Sequence, residues 1–297
     1  KTVIIIAGPT AVGKTALGIE VAKHFETEII SADSRQCFRE LNIGVARPSS
    51  EELAQVPHHF IASHSIHEKV TAATFEEYAL AKTGELFRTH DVVVMAGGTG
   101  LYIKAYCEGM DVIPEVPPEI HEAVIQSYQQ NGLEWLQAEI QQLDPEFWQK
   151  GETKNPQRMM RALEVFKATG QSIFSFRSGE KKQRDFSIIK LGVELPKQTL
   201  HHNINHRVDK MIEQGLVAEV KSLLPFQRLN ALQTVGYKEI FSYLNDEISL
   251  EKAVEAIKQN TRQYAKRQIT WFKKDAGYYW LTPDPAVVLP FLQKLKG

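Results

Sequence analysis

Residues 8–15 read Gly8-Pro9-Thr10-Ala11-Val12-Gly13-Lys14-Thr15, a match to GxxxxGK[ST] set between an apolar run, Val3 to Ala7, and a helix-forming run, Ala16 to Phe25. A strand, a glycine-rich turn and a helix in that order aim successive backbone N–H groups and a helix N-terminus at one point, which makes a cradle for a pyrophosphate unit. Lys14 adds a point charge, and the Thr15 hydroxyl is suited to ligating Mg2+. A chance match in a glycine-rich turn is the competing reading, and the strand and helix on either side argue against it. The pattern specifies a polyphosphate or pyrophosphate, not a nucleoside triphosphate. The DxxG and NKxD strings that a GTPase needs do not occur.

The motif sits in a chain whose first hundred residues alternate β-branched runs with helical stretches. After Val3 to Ala7 come Glu28 to Ala32, His59 to Ala62, a helix near Thr74 to Arg88, and Asp91 to Ala96. That alternation predicts an α/β fold, a P-loop NTPase-like parallel sheet flanked by helices. The loops after Ala7, Ala32 and Ala96 should then converge on one site, beyond the carboxyl ends of the strands. Three prolines between Asp111 and Glu119 open a long helical stretch reaching about Ser178, and Ser187 to Val193 reads as one more core strand. The expected organisation is a core of residues 1–112 and 183–297, with 113–182 an all-helical insertion. The remainder reads as helical, including Ser249 to Lys274, where Val254, Ile257, Tyr264, Ile269 and Phe272 follow a helical period.

Composition narrows the function classes. The chain has 297 residues with 43% hydrophobic and 24% charged side chains, which excludes disorder and collagen. Cys37 and Cys107 are its only cysteines, too few for a disulfide framework or a thiolate zinc site. No apolar run reaches membrane-span length and the apolar N-terminus is too short for a signal peptide, so the expectation is a cytoplasmic protein without a membrane partner. Lys1 stands where a Met would, and the sequence is read as trimmed or processed. Thirty-five Lys and Arg nearly cancel 36 Asp and Glu, giving a net charge of −1. The sum hides a segregation: residues 101–150 carry 2 basic and 9 acidic side chains, residues 154–190 carry 9 basic and 3 acidic.

Two further loops are candidates for chemistry. Val92 to Met95 ends in Ala96-Gly97-Gly98-Thr99-Gly100, where backbone can approach a ligand and the Thr99 hydroxyl can hydrogen-bond it; a tight turn without a ligand is the alternative. Ser31-Ala32-Asp33-Ser34-Arg35-Gln36 offers the Asp33 carboxylate as a metal partner or general base, or as a simple turn former. In Asn155-Pro156-Gln157-Arg158-Met159-Met160-Arg161 a cap and a first-turn proline open a helix that puts Arg158 and Arg161 on one face. Lys258, Arg262, Lys266, Arg267, Lys273 and Lys274 make a second basic array, with Tyr264 and Trp271 nearby. Either array alone reads as a solvated helix face; both, beside a phosphate site, favour a phosphate-backbone track. His58, His59, His64 and His67 are clustered without the further ligands at regular spacing that a metal site needs.

Taken in order, GPTAVGKT, SADSRQ, PHHF, AGGTGLYIKA, NPQRMMRALEV, TVGYKE and AKRQITWF resemble the bacterial tRNA dimethylallyltransferases across nearly the whole chain. The resemblance implies transfer of a dimethylallyl group from dimethylallyl diphosphate to N6 of the adenosine immediately 3′ of the anticodon, position 37, in tRNAs that read codons beginning with U. It implies Mg2+ as cofactor, and dimethylallyl diphosphate, not ATP, in the loop of residues 8–15. Asp33 matches the family's general base, Thr99 its hydroxyl near the bridging oxygen, and Arg207 an arginine on the diphosphate, with Lys14 completing the catalytic set. The tRNA anticodon stem-loop is implied to lie against Asp33, Ser34, Arg35, Gln36, Thr99, Gln157, Arg158, Met159, Met160 and Arg161, and on the other side against Lys266, Arg267 and Gln268. His121 stands where bacterial members often carry an arginine near the RNA. A small-molecule or nucleotide kinase would use the same loop for ATP, and an RNA-binding regulator would need it degenerate, which Lys14 and Thr15 are not. With no large exposed apolar helix face evident, a monomer is expected.

Overall fold

The fold rests on a run of aliphatic residues that water never reaches. In a computed structural model, which describes residues 1–296, Val3, Ile4, Ile5, Ile6 and Ala7 of β1 (Thr2–Ala7) are all fully buried. Successive strand residues point to opposite faces, so both faces of the sheet here are covered. Helix α1 (Lys14–His24) follows, then β2 (Ile29–Ala32), α2 (Ser50–Gln55), β3 (His58–His59), α3 (Ala72–Leu86), β4 (Val92–Gly97) and α4 (Gly100–Glu108). The chain then forms a second compact unit, residues 109–182, and returns at Gln183 to complete the first.

That second unit holds α5 (Pro118–Leu143), α6 (Pro145–Lys150) and α7 (Pro156–Thr169). Gly132, with φ 72° and ψ −161°, interrupts α5. Its core brings Leu136, Ile140, Phe147, Leu163 and Val165 together. The returning chain adds β5 (Ser187–Val193), α8 (Lys197–Glu213), α9 (Leu216–Ser222), α10 (Tyr237–Leu244), α11 (Leu250–Phe272), β6 (Tyr278–Leu281) and α12 (Pro285–Lys296).

The sheet has the order β3-β2-β4-β1-β5-β6, with every neighbouring pair parallel. One face packs Ile4, Ile6, Val94 and Leu191 against Leu17 and Val21 of α1, Ile204 of α8, Ala265 of α11 and Val288 of α12. Because all strands run one way, the loops after β2, β4 and β1 emerge side by side at the carboxyl ends of the strands, in that order.

Two expectations need correction. The region after β5 is not wholly helical, since Tyr278–Leu281 joins the sheet edge beside β5. The strand expected over His59 to Ala62 ends at His59, because Phe60 (φ 61°) and Ala62 (φ 47°) leave extended backbone.

Candidate active site

The loop between β1 and α1 takes its shape from two left-handed residues, Ala11 (φ 62°) and Gly13 (φ 101°). Alternation of left- and right-handed backbone turns consecutive N–H groups to one side and creates an anion nest. At Gly13 the conformation favours a residue without Cβ. Lys14 Nζ folds back and donates to the Pro9 carbonyl at 2.6 Å. Arg207, on α8, reaches the same loop and donates to Thr10 Oγ1 at 3.3 Å, while Asn203, one turn earlier, donates to the Ala11 carbonyl at 3.3 Å. Burial, reinforced by the positive charge of Arg207 and only partly offset by Asp33, pushes the Lys14 amine down to about 7. Burial also lowers Arg207. Two cations crowded at one nest are complementary to a polyanion.

The loop after β2 forms an Asx turn. Asp33 Oδ1 accepts the N–H groups of Arg35 (2.8 Å) and Gln36 (3.2 Å). Among the described residues both hydrogen bonds to the carboxylate fall on Oδ1 and none on Oδ2. Thr99, just past β4, is the near neighbour that the sheet order requires: its Oγ1 accepts the Ser34 N–H at 3.0 Å, and its own N–H donates to the Ala32 carbonyl at 3.1 Å. On the other side Gln268 of α11 joins the β4 loop to the β1 loop. Its Oε1 accepts the Thr10 N–H at 2.9 Å and its Nε2 donates to the Gly98 carbonyl at 2.9 Å. Asp33, Thr10 to Thr15, Gly97, Gly98, Arg207 and Gln268 all line one cavity of about 1630 Å³. The site is therefore a nest complementary to an anion, with Asp33 lining the same space.

An IPP transferase family model matches residues 36–275. The chain belongs to the IPP transferase family. It is 46% identical over 283 residues to a tRNA dimethylallyltransferase of Cytophaga hutchinsonii, covering 95% of this chain and 93% of the relative. A tRNA dimethylallyltransferase of Christiangramia forsetii is 48% identical over 281 residues, with 95% of this chain and 93% of that one covered. The crystal structure of a tRNA delta(2)-isopentenylpyrophosphate transferase from Staphylococcus epidermidis superposes with a TM-score of 0.71 at 32% identity, over 99% of this chain and 98% of that one.

The remaining candidates fall differently on this IPP transferase. Gln268 is 7% exposed and has both ends of its amide engaged, so it faces the two loops and not solvent. Gln36 Nε2 is likewise taken by the carbonyls of Val45 (3.2 Å) and Ala46 (3.0 Å). Met159 and Met160 are buried in the core of the 109–182 unit, where a helix with Gln157 and Arg158 outward must place them. Arg158 pairs with Glu152 at 2.5 Å, and Arg161 donates to the Pro114 carbonyl at 3.3 Å. Buried Glu164 holds His121 (2.8 Å) and lies 3.6 Å from Arg161. In α11 the expected basic stripe is partly engaged: Lys258 pairs with Asp209 and Glu255, while Arg262 keeps its charge and donates to the neutral Asn205 Oδ1. Lys266 and Arg267 remain exposed, the latter 5.9 Å from the Tyr264 ring. No motif in the sequence marks Asn203, although its spacing of four from Arg207 puts both on one helix face.

Proposed function

We propose that this enzyme transfers the dimethylallyl group of dimethylallyl diphosphate to N6 of adenosine 37 in tRNAs reading codons that begin with U, releasing diphosphate. The observation that carries the reading is the free Asp33 Oδ2 sharing a cavity with a nest that holds two cations. The diphosphate sits against the amides of residues 11–15, with Lys14 and Arg207 on its oxygens. As the C1–O bond of the donor breaks, negative charge grows on the leaving diphosphate, where the fixed N–H groups and both cations stabilise it most. The allyl system spreads the positive charge left on carbon, which is why this bond yields first.

Adenine N6 is a poor nucleophile because its lone pair is delocalised into the ring. Its attack on C1 becomes favourable when Asp33 Oδ2 takes the N6 proton as the C–N bond forms. The Asx turn holds Oδ1 in place, so the other oxygen is the one left to act. Thr99 supports this geometry by accepting the Ser34 N–H, and by family resemblance its hydroxyl serves the bridging oxygen. The acceptor base has to leave its stack, at a cost of a few kcal/mol that is smallest in a loop. Arg35, Lys266 and Arg267 in the sheet unit, and separately His121, Gln157, Arg158 and Arg161 in the 109–182 unit, offer polar or cationic side chains to the tRNA.

A magnesium ion fits the donor set. Mg2+ is held by one or two protein oxygens with substrate phosphates and water supplying the rest, and Thr15 Oγ1, on a residue lining the cavity, would be such an oxygen. When bound, the ion offsets charge on the leaving group. The experiment is incubation with dimethylallyl diphosphate and unmodified tRNA, then mass spectrometry of the nucleosides. Dimethylallyladenosine is expected; phosphate transfer from ATP to a small molecule, with tRNA unchanged, overturns the reading in favour of a kinase.

A further inference from the structure

The segment Thr234 to Glu239, one of the strings that carry the family resemblance, is used by no step of the transfer. Its structure is a bracket. Tyr237 is wholly buried, and its hydroxyl donates to Glu219 Oε1 at 2.5 Å. Glu219, on α9, also accepts three consecutive backbone N–H groups from a distant loop: Asn42 at 3.3 Å, Ile43 at 2.7 Å and Gly44 at 3.1 Å. Gly44 lies so close to the aromatic ring that a Cβ there would stand 2.5 Å from a Tyr237 ring carbon. The base of the bracket is anchored as well. Glu239 accepts the Gly236 N–H at 2.8 Å with one oxygen and Asn260 of α11 at 2.6 Å with the other.

The loop held this way leads to the base. Its next two carbonyls, Val45 and Ala46, accept from Gln36 Nε2, and the Gln36 backbone N–H donates to Asp33 Oδ1 at 3.2 Å. A continuous chain of hydrogen bonds and backbone thus runs from Tyr237 through Glu219, residues 42–46 and Gln36 to Asp33. The phosphate cradle is braced by other residues, Gln268, Asn203 and Arg207. Asn42 to Pro48 line the same cavity as Asp33.

We propose that Glu219, fixed by Tyr237, is a positioning residue for the transfer: it sets the 42–46 loop and, through Gln36, the aim of the Asp33 carboxylate. The inference rests on reading Asp33 as the base. It separates two functions that share one cavity, since loss of the bracket disturbs proton removal and leaves donor binding in place.

The test uses Glu219→Gln, which keeps the shape but sets an amide against N–H donors, and Tyr237→Phe, which removes one hydroxyl. Turnover, KM for dimethylallyl diphosphate, diphosphate affinity by calorimetry and Tm are measured for each, alone and combined with Asp33→Asn. Displacement of a reacting group by about 1 Å can cost about 100-fold, so Glu219→Gln is expected to lower kcat roughly 10- to 100-fold, with donor KM and diphosphate affinity within about twofold. In the Asp33→Asn background the same change should cost less than about twofold, because residues acting through one group are not additive. Wild-type turnover in both variants overturns the proposal, as does an equal loss in the Asp33→Asn background or a parallel loss of diphosphate affinity. If Glu219→Gln does not fold, Tyr237→Phe is judged by the same criteria. A wild-type protein that modifies no tRNA defeats the transfer reading instead, and is distinguished by that control.

Discussion

Lys14 and Asp33 carry opposite charges into one cavity, and each makes a prediction that a substitution can isolate. With its amine near 7 in the free protein, Lys14 is protonated below neutrality and loses its proton as pH rises. A bound diphosphate pairs the ammonium and raises its pKa, so binding above pH 7 takes up a proton. Diphosphate affinity should fall with rising pH between about 7 and the ordinary lysine range, by up to about tenfold per unit. Titrating the ligand itself changes its charge, so the quantity to follow by calorimetry is the difference between wild type and Lys14→Met, which should shrink as pH rises. For Asp33 the informative change is to Asn, since an amide oxygen can still accept the Arg35 and Gln36 N–H groups while the proposed base is removed. Single-turnover rates should fall by roughly 10²- to 10⁴-fold with diphosphate affinity retained.

The elements show which parts of the fold can be read from residues and which cannot. The β1–loop–α1 unit was legible because local pattern and tertiary role agree: aliphatic strand, left-handed turn, helix. Strands β4 and β5 were equally plain, being runs of β-branched residues flanked by polar ones. Strand β6 was hidden because Tyr278-Tyr279-Trp280-Leu281 has only four residues and joins an edge, where one pairing partner suffices. In α11 the periodicity gave the helix but not its rotation. Gln268 turns inward because the order β2-β4-β1 places two loops beneath it, and no spacing within α11 displays strand order. The same holds for Glu219 and Tyr237, whose partners lie far away in sequence. The last turn of α11 is held by Phe272, which is 1% exposed; Phe272→Ala should cost about 3–5 kcal/mol by urea denaturation.

Over the whole molecule, neutrality in sum conceals how few cations are available. Lys258, Arg262 and Lys273 are engaged by neighbours, so the proposed RNA contacts fall to scattered residues and not to a continuous stripe. Arg158 and Arg161 hold carboxylate or carbonyl partners that a phosphate can replace. Replacing either by Ala should weaken tRNA binding and reduce the slope of log affinity against log salt by about 0.7 for each phosphate no longer neutralised, measured by filter binding, with donor affinity unchanged.

The parallel pairing has a further consequence for how the protein is made. Thr2 to Ala7 pair with Val92 to Gly97 on one side, but their other neighbours, Ser187 to Gly192, are translated only after the entire 109–182 unit. On the ribosome the most apolar strand of the chain therefore waits with one edge unsatisfied, a long-range closure of the kind that slows folding and invites misassembly. Rapid folding of the 109–182 unit would shorten that exposure, and chaperone dependence during synthesis should grow when its completion is delayed.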